Sequence, residues 1–148
     1  MSTVAPPSPD LSELAAQLRL GVTRLARKLR KEADPSVTPT QLAALNTIGR
    51  HGPLTAGSLA EHEQITKPTA TRLIGALTEA ALITRQTDPV DARIAWIALT
   101  PDGARLLQQV RHRGNRYLAK RLKALDPTEL ETLRRAAPIL ERLTGDRP

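Results

Sequence analysis

The chain has 148 residues, 22 Lys or Arg against 15 Asp or Glu for a net charge of +7, 40% hydrophobic residues and no cysteine. That length allows one compact domain, or two small lobes sharing helices, and excludes a separate catalytic domain; the lack of cysteine excludes disulfides, thiolate nucleophiles, thiol redox sensing and Cys-based zinc sites. Residues 1–10 have no basic start followed by an apolar run, and no stretch approaches the roughly 18 apolar residues that span a bilayer, so the chain reads as soluble, unexported and cytoplasmic, with no membrane partner.

Trp96 and Tyr117 are the only Phe, Tyr or Trp side chains, so the core must be aliphatic, which suits helix packing. Proline fits the first turn of a helix, where no backbone N–H is needed, and a Ser, Thr or Asp before it can cap the free N–H groups. Ser8-Pro9, Thr38-Pro39, Thr100-Pro101 and Asp126-Pro127 therefore mark four helix starts, and Thr38 with Gln41 and Asp126 with Glu129 resemble capping boxes. After a tail over 1–9, a first helix over about 10–31 carries Leu11, Leu14, Leu18, Val22, Leu25 and Leu29 on one stripe and basic residues opposite. A second helix, about 39–50, carries Leu42, Leu45 and Ile48 and stops at Gly52-Pro53. Residues 54–80 read as a short helix beginning at Leu54, a tight connection, and a second helix opening at Thr66-Lys67-Pro68.

Two β-like runs follow over residues 82–103, joined by the acidic loop Asp88-Pro89-Val90-Asp91-Ala92-Arg93. Helix, turn, helix and hairpin in that order read as a winged helix-turn-helix, which points to double-stranded DNA. A long helix from Pro101 to about 124 and a last helix over about 127–144, which Pro138 is predicted to kink, complete the chain. The predicted fold is mainly α with a small β-hairpin wing. The DNA-binding lobe spans 38–100, and 10–37 joins 101–148 in a helical lobe. Leu11, Leu14 and Leu18 at one end and Leu130, Leu133, Leu140 and Leu143 at the other offer more apolar stripe than one small lobe can cover, so a homodimer interface is expected, with an intramolecular bundle as the alternative.

On the helix from Thr66, Ala70, Leu73, Ile74 and Leu77 define the buried side, and Pro68, Arg72, Gly75 and Glu79 lie opposite, flanked by Thr69, Thr71 and Ala76. That face is slim enough for close approach to bases. Arg72 can fork onto guanine O6 and N7, Thr69 and Thr71 offer hydroxyls, and Lys67 and Thr69 in the first turn can reach phosphates. Arg93, presented by the hairpin tip, suits a narrow minor groove. Asp88 and Asp91 would repel phosphates there, so their expected work is internal, capping loop N–H groups and holding Arg93 extended. Each feature also has a plainer reading: a solvated amphipathic helix, and an arginine held in a structural ion pair.

The charge is not where a DNA reader would be expected to carry it. Between residues 62 and 96, Lys67, Arg72, Arg85 and Arg93 are matched by Glu63, Glu79, Asp88 and Asp91. The excess lies in Arg105, Arg111, Arg113, Arg116, Lys120, Arg121 and Lys123, a run that reads as a solvated face, a source of long-range attraction to DNA, or a partner for an anionic effector. His51, His62 and His112 are far apart in sequence, and Thr66 stands where a His-Glu-x-x-His motif needs its second His, so neither a metal nor another cofactor is expected. The chain has neither a Gly-rich phosphate loop nor a Gly-x-Ser-x-Gly elbow, which argues against an enzyme.

Asp88-Pro-Val-Asp91-Ala-Arg93 followed by Leu99-Thr-Pro-Asp-Gly103 resembles the Asp-x-x-Asp-x-Arg … Leu-Thr-x-x-Gly signature of the multiple antibiotic resistance regulator (MarR) family. Leu54-Thr-Ala-Gly-Ser-Leu-Ala-Glu is similar to that family's first motif helix and Lys67-Pro-Thr-Ala-Thr-Arg-Leu-Ile to its recognition helix, so the resemblance covers about residues 10–144. It implies a homodimeric DNA-binding regulator, in most members a repressor, whose terminal helices form the dimer lobe. Small ligands, often phenolic or anionic, bind near the junction of the lobes and weaken operator binding. Their pocket is expected among the first, second and fifth helices, with no residues assigned. By motif position, Pro68, Thr69, Thr71 and Arg72 resemble the major-groove residues and Arg93 the wing-tip arginine. Ala81 stands where the family usually has Gly, opening the helix exit there to a different backbone, and Ala92 replaces a frequent second wing arginine. The rival readings are a winged helix used for protein interaction and a sequence-indifferent DNA-binding protein.

Overall fold

The computed structural model describes residues 9–32 and 36–145; Ser8, the rest of the N-terminal tail and part of the linker before Thr38 lie outside them. Six helices and two strands follow in order: α1 Pro9–Glu32, α2 Pro39–His51, α3 Ala56–Glu63, α4 Lys67–Glu79, β1 Ile83–Thr87, β2 Ala95–Leu99, α5 Pro101–Leu122 and α6 Pro127–Leu143. Capping fixes most of the starts. The Thr38 hydroxyl accepts from Gln41 N at 3.1 Å while Gln41 Oε1 accepts from Thr38 N at 3.0 Å. Asp126 and Glu129 close a second box at the head of α6, and Thr100 accepts from Gly103 N at 3.0 Å at the head of α5.

Leu54 does not begin a helix. Its N–H and C=O bond Ile97 across an isolated antiparallel bridge at 3.0 and 2.8 Å, so α3 starts two residues later with Thr55 as its cap. The wing is thus a hairpin, β1 paired antiparallel to β2 with Ile83 opposite Leu99 and Arg85 opposite Ile97, fastened to the helices through Leu54. Its root locks onto α5 as well. Thr100 N donates to Leu82 O, and a Cβ on Gly103 would stand 2.1 Å from that same carbonyl oxygen, so only glycine permits the approach.

Ala44, Leu45 and Ile48 of α2, Leu59 of α3, Ile74 and Leu77 of α4, Ile83 of β1, Ile97 of β2 and Leu107 of α5 converge with Leu54 on one aliphatic core. Each such Leu or Ile contributes about 1.5–3 kcal/mol by leaving water. The expected inward residues of α4 are buried at Ala70, Ile74 and Leu77, with Leu73 half-buried. At the exit of α4, Ala81 N bonds Thr78 O at 2.9 Å and Leu82 N bonds Leu77 O at 3.0 Å, a Schellman closure. Ala81 itself takes φ +59°, so the left-handed exit is kept although glycine is absent.

The terminal helices are built differently. α1 meets the rest of the chain through α5 near its C-terminal end, where Ala26 and Leu29 are half-buried, and α6 buries no residue. α6 runs from 127 to 143 through Pro138 without a break. None of the described helices is long and apolar enough to cross a membrane.

Candidate nucleic-acid interface

α4 is positioned by its buried face, and its first turn is ordered by Thr66, whose hydroxyl accepts from Thr69 N at 3.3 Å and lies 2.8 Å from the Thr69 hydroxyl. Thr71 Oγ1 donates to Lys67 O at 3.0 Å. The two hydroxyls expected to face DNA are therefore already engaged within the helix, leaving Thr71 an acceptor lone pair and a methyl group to present. Pro68 and Arg72 are exposed, and among the described residues Arg72 forms no ion pair.

The wing tip is held from inside. Asp88 Oδ1 accepts from Val90 N at 2.9 Å and Asp91 N at 3.0 Å, and its Oδ2 accepts from Trp96 Nε1 at 2.8 Å. Asp91 Oδ1 accepts from Arg93 N at 3.0 Å and from Arg93 Nε at 3.1 Å, while Oδ2 accepts from Arg93 Nη2 at 3.1 Å, a two-pronged grip on the guanidinium. Arg93 nonetheless stays 90% exposed. The donor bonds stabilise the ionised carboxyls: the Trp96 indole and the loop amides hold Asp88 below its ordinary value, and Arg93 does the same for Asp91.

α4 and the wing enclose a cleft of about 350 Å³ that brings Lys67, Thr71 and Arg93 together with Arg85 and the first turn of α3 at Ala56 and Gly57; Arg72 stands outside it. Sequence reasoning counted Arg85 only as a charge. Strand alternation held a sharper signal, because Arg85 shares with Ile83 one side of β1 and pairs with buried Ile97, and it stands exposed where that side opens onto the cleft. The balance of four cations against four anions also resolves in space. Asp88 and Asp91 are spent on the wing's own donors, Glu63 accepts from the Thr47 hydroxyl, Glu79 sits at the far end of α4, and the cleft is lined by no carboxylate.

Elsewhere, His51 and His62 stack with ring centroids 4.4 Å apart, a convergence of α2 and α3 that their sequence separation hides. Among the described residues no group of three or more potential metal ligands forms. Of the basic run on α5, Arg105 pairs with Asp102 and Arg121 lies 5.4 Å from the Tyr117 ring centroid.

The MarR family model matches residues 37–95, from the N-terminal side of α2 to the start of β2. An uncharacterized HTH-type transcriptional regulator of Mycobacterium bovis is 34% identical over 93% of this chain and 96% of its own length. A Pseudomonas aeruginosa protein assigned as a transcriptional regulator superposes with a TM-score of 0.85 at 33% identity, covering 95% of this chain and all of that one. A MepR variant of Staphylococcus aureus, solved bound to an oligodeoxyribonucleotide, shares the fold with a TM-score of 0.70 at 23% identity over 89% of this chain and 96% of its own. With its winged helix-turn-helix, the chain belongs to the MarR family of DNA-binding transcription regulators, which are not enzymes.

Proposed function

We propose that the protein is a cytoplasmic, homodimeric repressor that reads a near-palindromic operator with Arg72 in the major groove and Arg93 in the adjacent minor groove, and that a small aromatic or anionic effector releases it. The observation that carries the reading is the pairing of an exposed, uncommitted Arg72 on a slim helix face with a second arginine held out by the wing. Lys67, Pro68, Thr69 and Thr71 support the helix at its phosphate-facing turn. The dimer is supported by the apolar faces that α1 and α6 leave open, with Leu11 59% and Leu143 68% exposed. In this arrangement the winged lobe over 38–100 hangs from a lobe made by 10–37 and 101–148, so two-fold symmetry sets the spacing of the two recognition helices. The effector response rests on family membership, and it would act by favouring a spacing that no longer fits the grooves.

The test is selection of duplexes from a random pool by the wild-type protein, followed by anisotropy titration at fixed salt. Half-sites about 10 bp apart and a preference of roughly a thousandfold over scrambled DNA are expected. Arg72→Ala should cost about 1–3 kcal/mol at one base pair of each half-site and relax specificity there. A uniform loss across all sequences would remove its base-reading role, and a steep salt slope with no selected sequence would identify a sequence-indifferent binder instead.

A further inference from the structure

The cleft between α4 and the wing has three cations on its walls and no carboxylate. Lys67 and Arg85 form no ion pair among the described residues, and the guanidinium of Arg93 reaches the same space while tethered to Asp91. Arg85 is the central group. It rises from the strand position opposite Ile97 and stands exposed on the cleft wall, where Lys67 and Arg93 are the other charges, so the three cations present one positive field to an anion. The first turn of α3 adds outward-facing amides: Thr55 occupies the Ser58 N–H, whereas Gly57 lines the cleft and a Cβ there would meet nothing closer than 3.8 Å.

The shape of duplex DNA says which anion this is, given the orientation proposed above, on which the inference rests. A helix in the major groove and an arginine in the neighbouring minor groove straddle the one sugar-phosphate strand that divides those grooves. That strand has to cross the space between α4 and the wing tip, which is this cleft. We propose that the cleft holds one backbone phosphate of the dividing strand, with Arg85 and Lys67 as its cations and the α3 first turn as an additional donor. Arg93 then acts twice, its guanidinium entering the minor groove and its charge flanking the same phosphate. The contact carries no base information; it fixes the register in which Arg72 meets its base.

The experiment uses the full-length protein and its selected duplex. Arg85→Ala should lower affinity uniformly over operator variants and reduce the slope of log K against log salt by about 1 per contact, while Arg85→Lys restores the slope and guards against a folding defect. A walk of single methylphosphonate substitutions, each deleting one phosphate charge, should find one position per half-site that weakens the wild type and leaves Arg85→Ala indifferent. Additive losses at every position, or an unchanged salt slope, would overturn the assignment. Millimolar inorganic phosphate at constant ionic strength should not compete with DNA; competition by it that disappears in Arg85→Ala would mark a site for free anions and overturn the backbone assignment too. If Arg72→Ala relaxes specificity while Arg85→Ala behaves as wild type, the phosphate site fails and the base-reading function stands; if no duplex is selected at all, the function itself fails.

Discussion

Ile48, Leu59, Leu77 and Ile97 come from four elements of the winged lobe and are each no more than 1% exposed, whereas Leu14, Leu133, Leu140 and Leu143 in the terminal helices are 48, 44, 38 and 68% exposed. In both regions leucine and isoleucine recur at helical spacing. What separates them is whether the chain supplies the opposing surface: α2, α3, α4, the hairpin and α5 close on one another, while α1 packs chiefly on α5 and α6 buries no residue. A periodic apolar stripe therefore identifies a face that needs covering, and says nothing about what covers it.

The largest effect that tests this contrast is assembly. Replacing both Leu133 and Leu140 by Glu should convert a dimer to a monomer in light scattering and abolish tight operator binding, while the far-UV signal of the winged lobe persists. Wild-type melting temperature should rise with protein concentration, as dimer-linked stability requires. Leu45→Ala, in the closed core, should instead cost about 2–5 kcal/mol at every protein concentration. A double glutamate variant that stays dimeric would place the interface elsewhere.

A smaller effect lies within the lobe. Ala81 carries φ +59° at the exit of the recognition helix, where L-residues with a Cβ meet the following carbonyl. Ala81→Gly should stabilise the protein by about 1 kcal/mol, seen as a higher urea midpoint with an unchanged m value. Destabilisation would mean that the greater freedom of glycine in the unfolded chain outweighs the relief of strain.

The parts legible in the sequence were those set by neighbours along the chain. Thr38, Thr100 and Asp126 each precede a proline and cap the helix that follows, and the Asp88 to Arg93 loop announces a hairpin through its own turn chemistry. Contacts between distant segments were not legible. Leu54 looks like a helix start until Ile97 is brought opposite it, and Arg85 looks like one more charge until β1 is registered against β2. Thr69 and Thr71 were placed on the right turn, but their hydroxyls prefer partners within α4, a competition that residue type alone does not decide. A charge count that balances along the chain likewise hid three carboxylates with partners of their own and a fourth, Glu79, at the far end of α4.

The smallest predicted effect concerns the wing alone. Asp88 and Asp91 have carboxyl groups held below the ordinary aspartate value, Asp88 first by the Trp96 indole and Asp91 first by Arg93. A lowered folded value means that the stabilisation is fully present above the unfolded value and is lost as pH falls through the folded one, so nothing should change at neutral pH. Trp96 is the only tryptophan, so its fluorescence reports the Asp88 contact directly. On acidification it should change below the ordinary aspartate range, in a step that Asp88→Asn eliminates, because the amide does not titrate there. The Arg93 guanidinium is solvent-facing, so added salt should weaken the Asp91–Arg93 grip before it touches the core. A Trp96 signal that moves only together with the far-UV helix signal would show that the tip has no titration of its own. Its order would then come from the paired strands, and Arg93 would be held out by the hairpin rather than by Asp91.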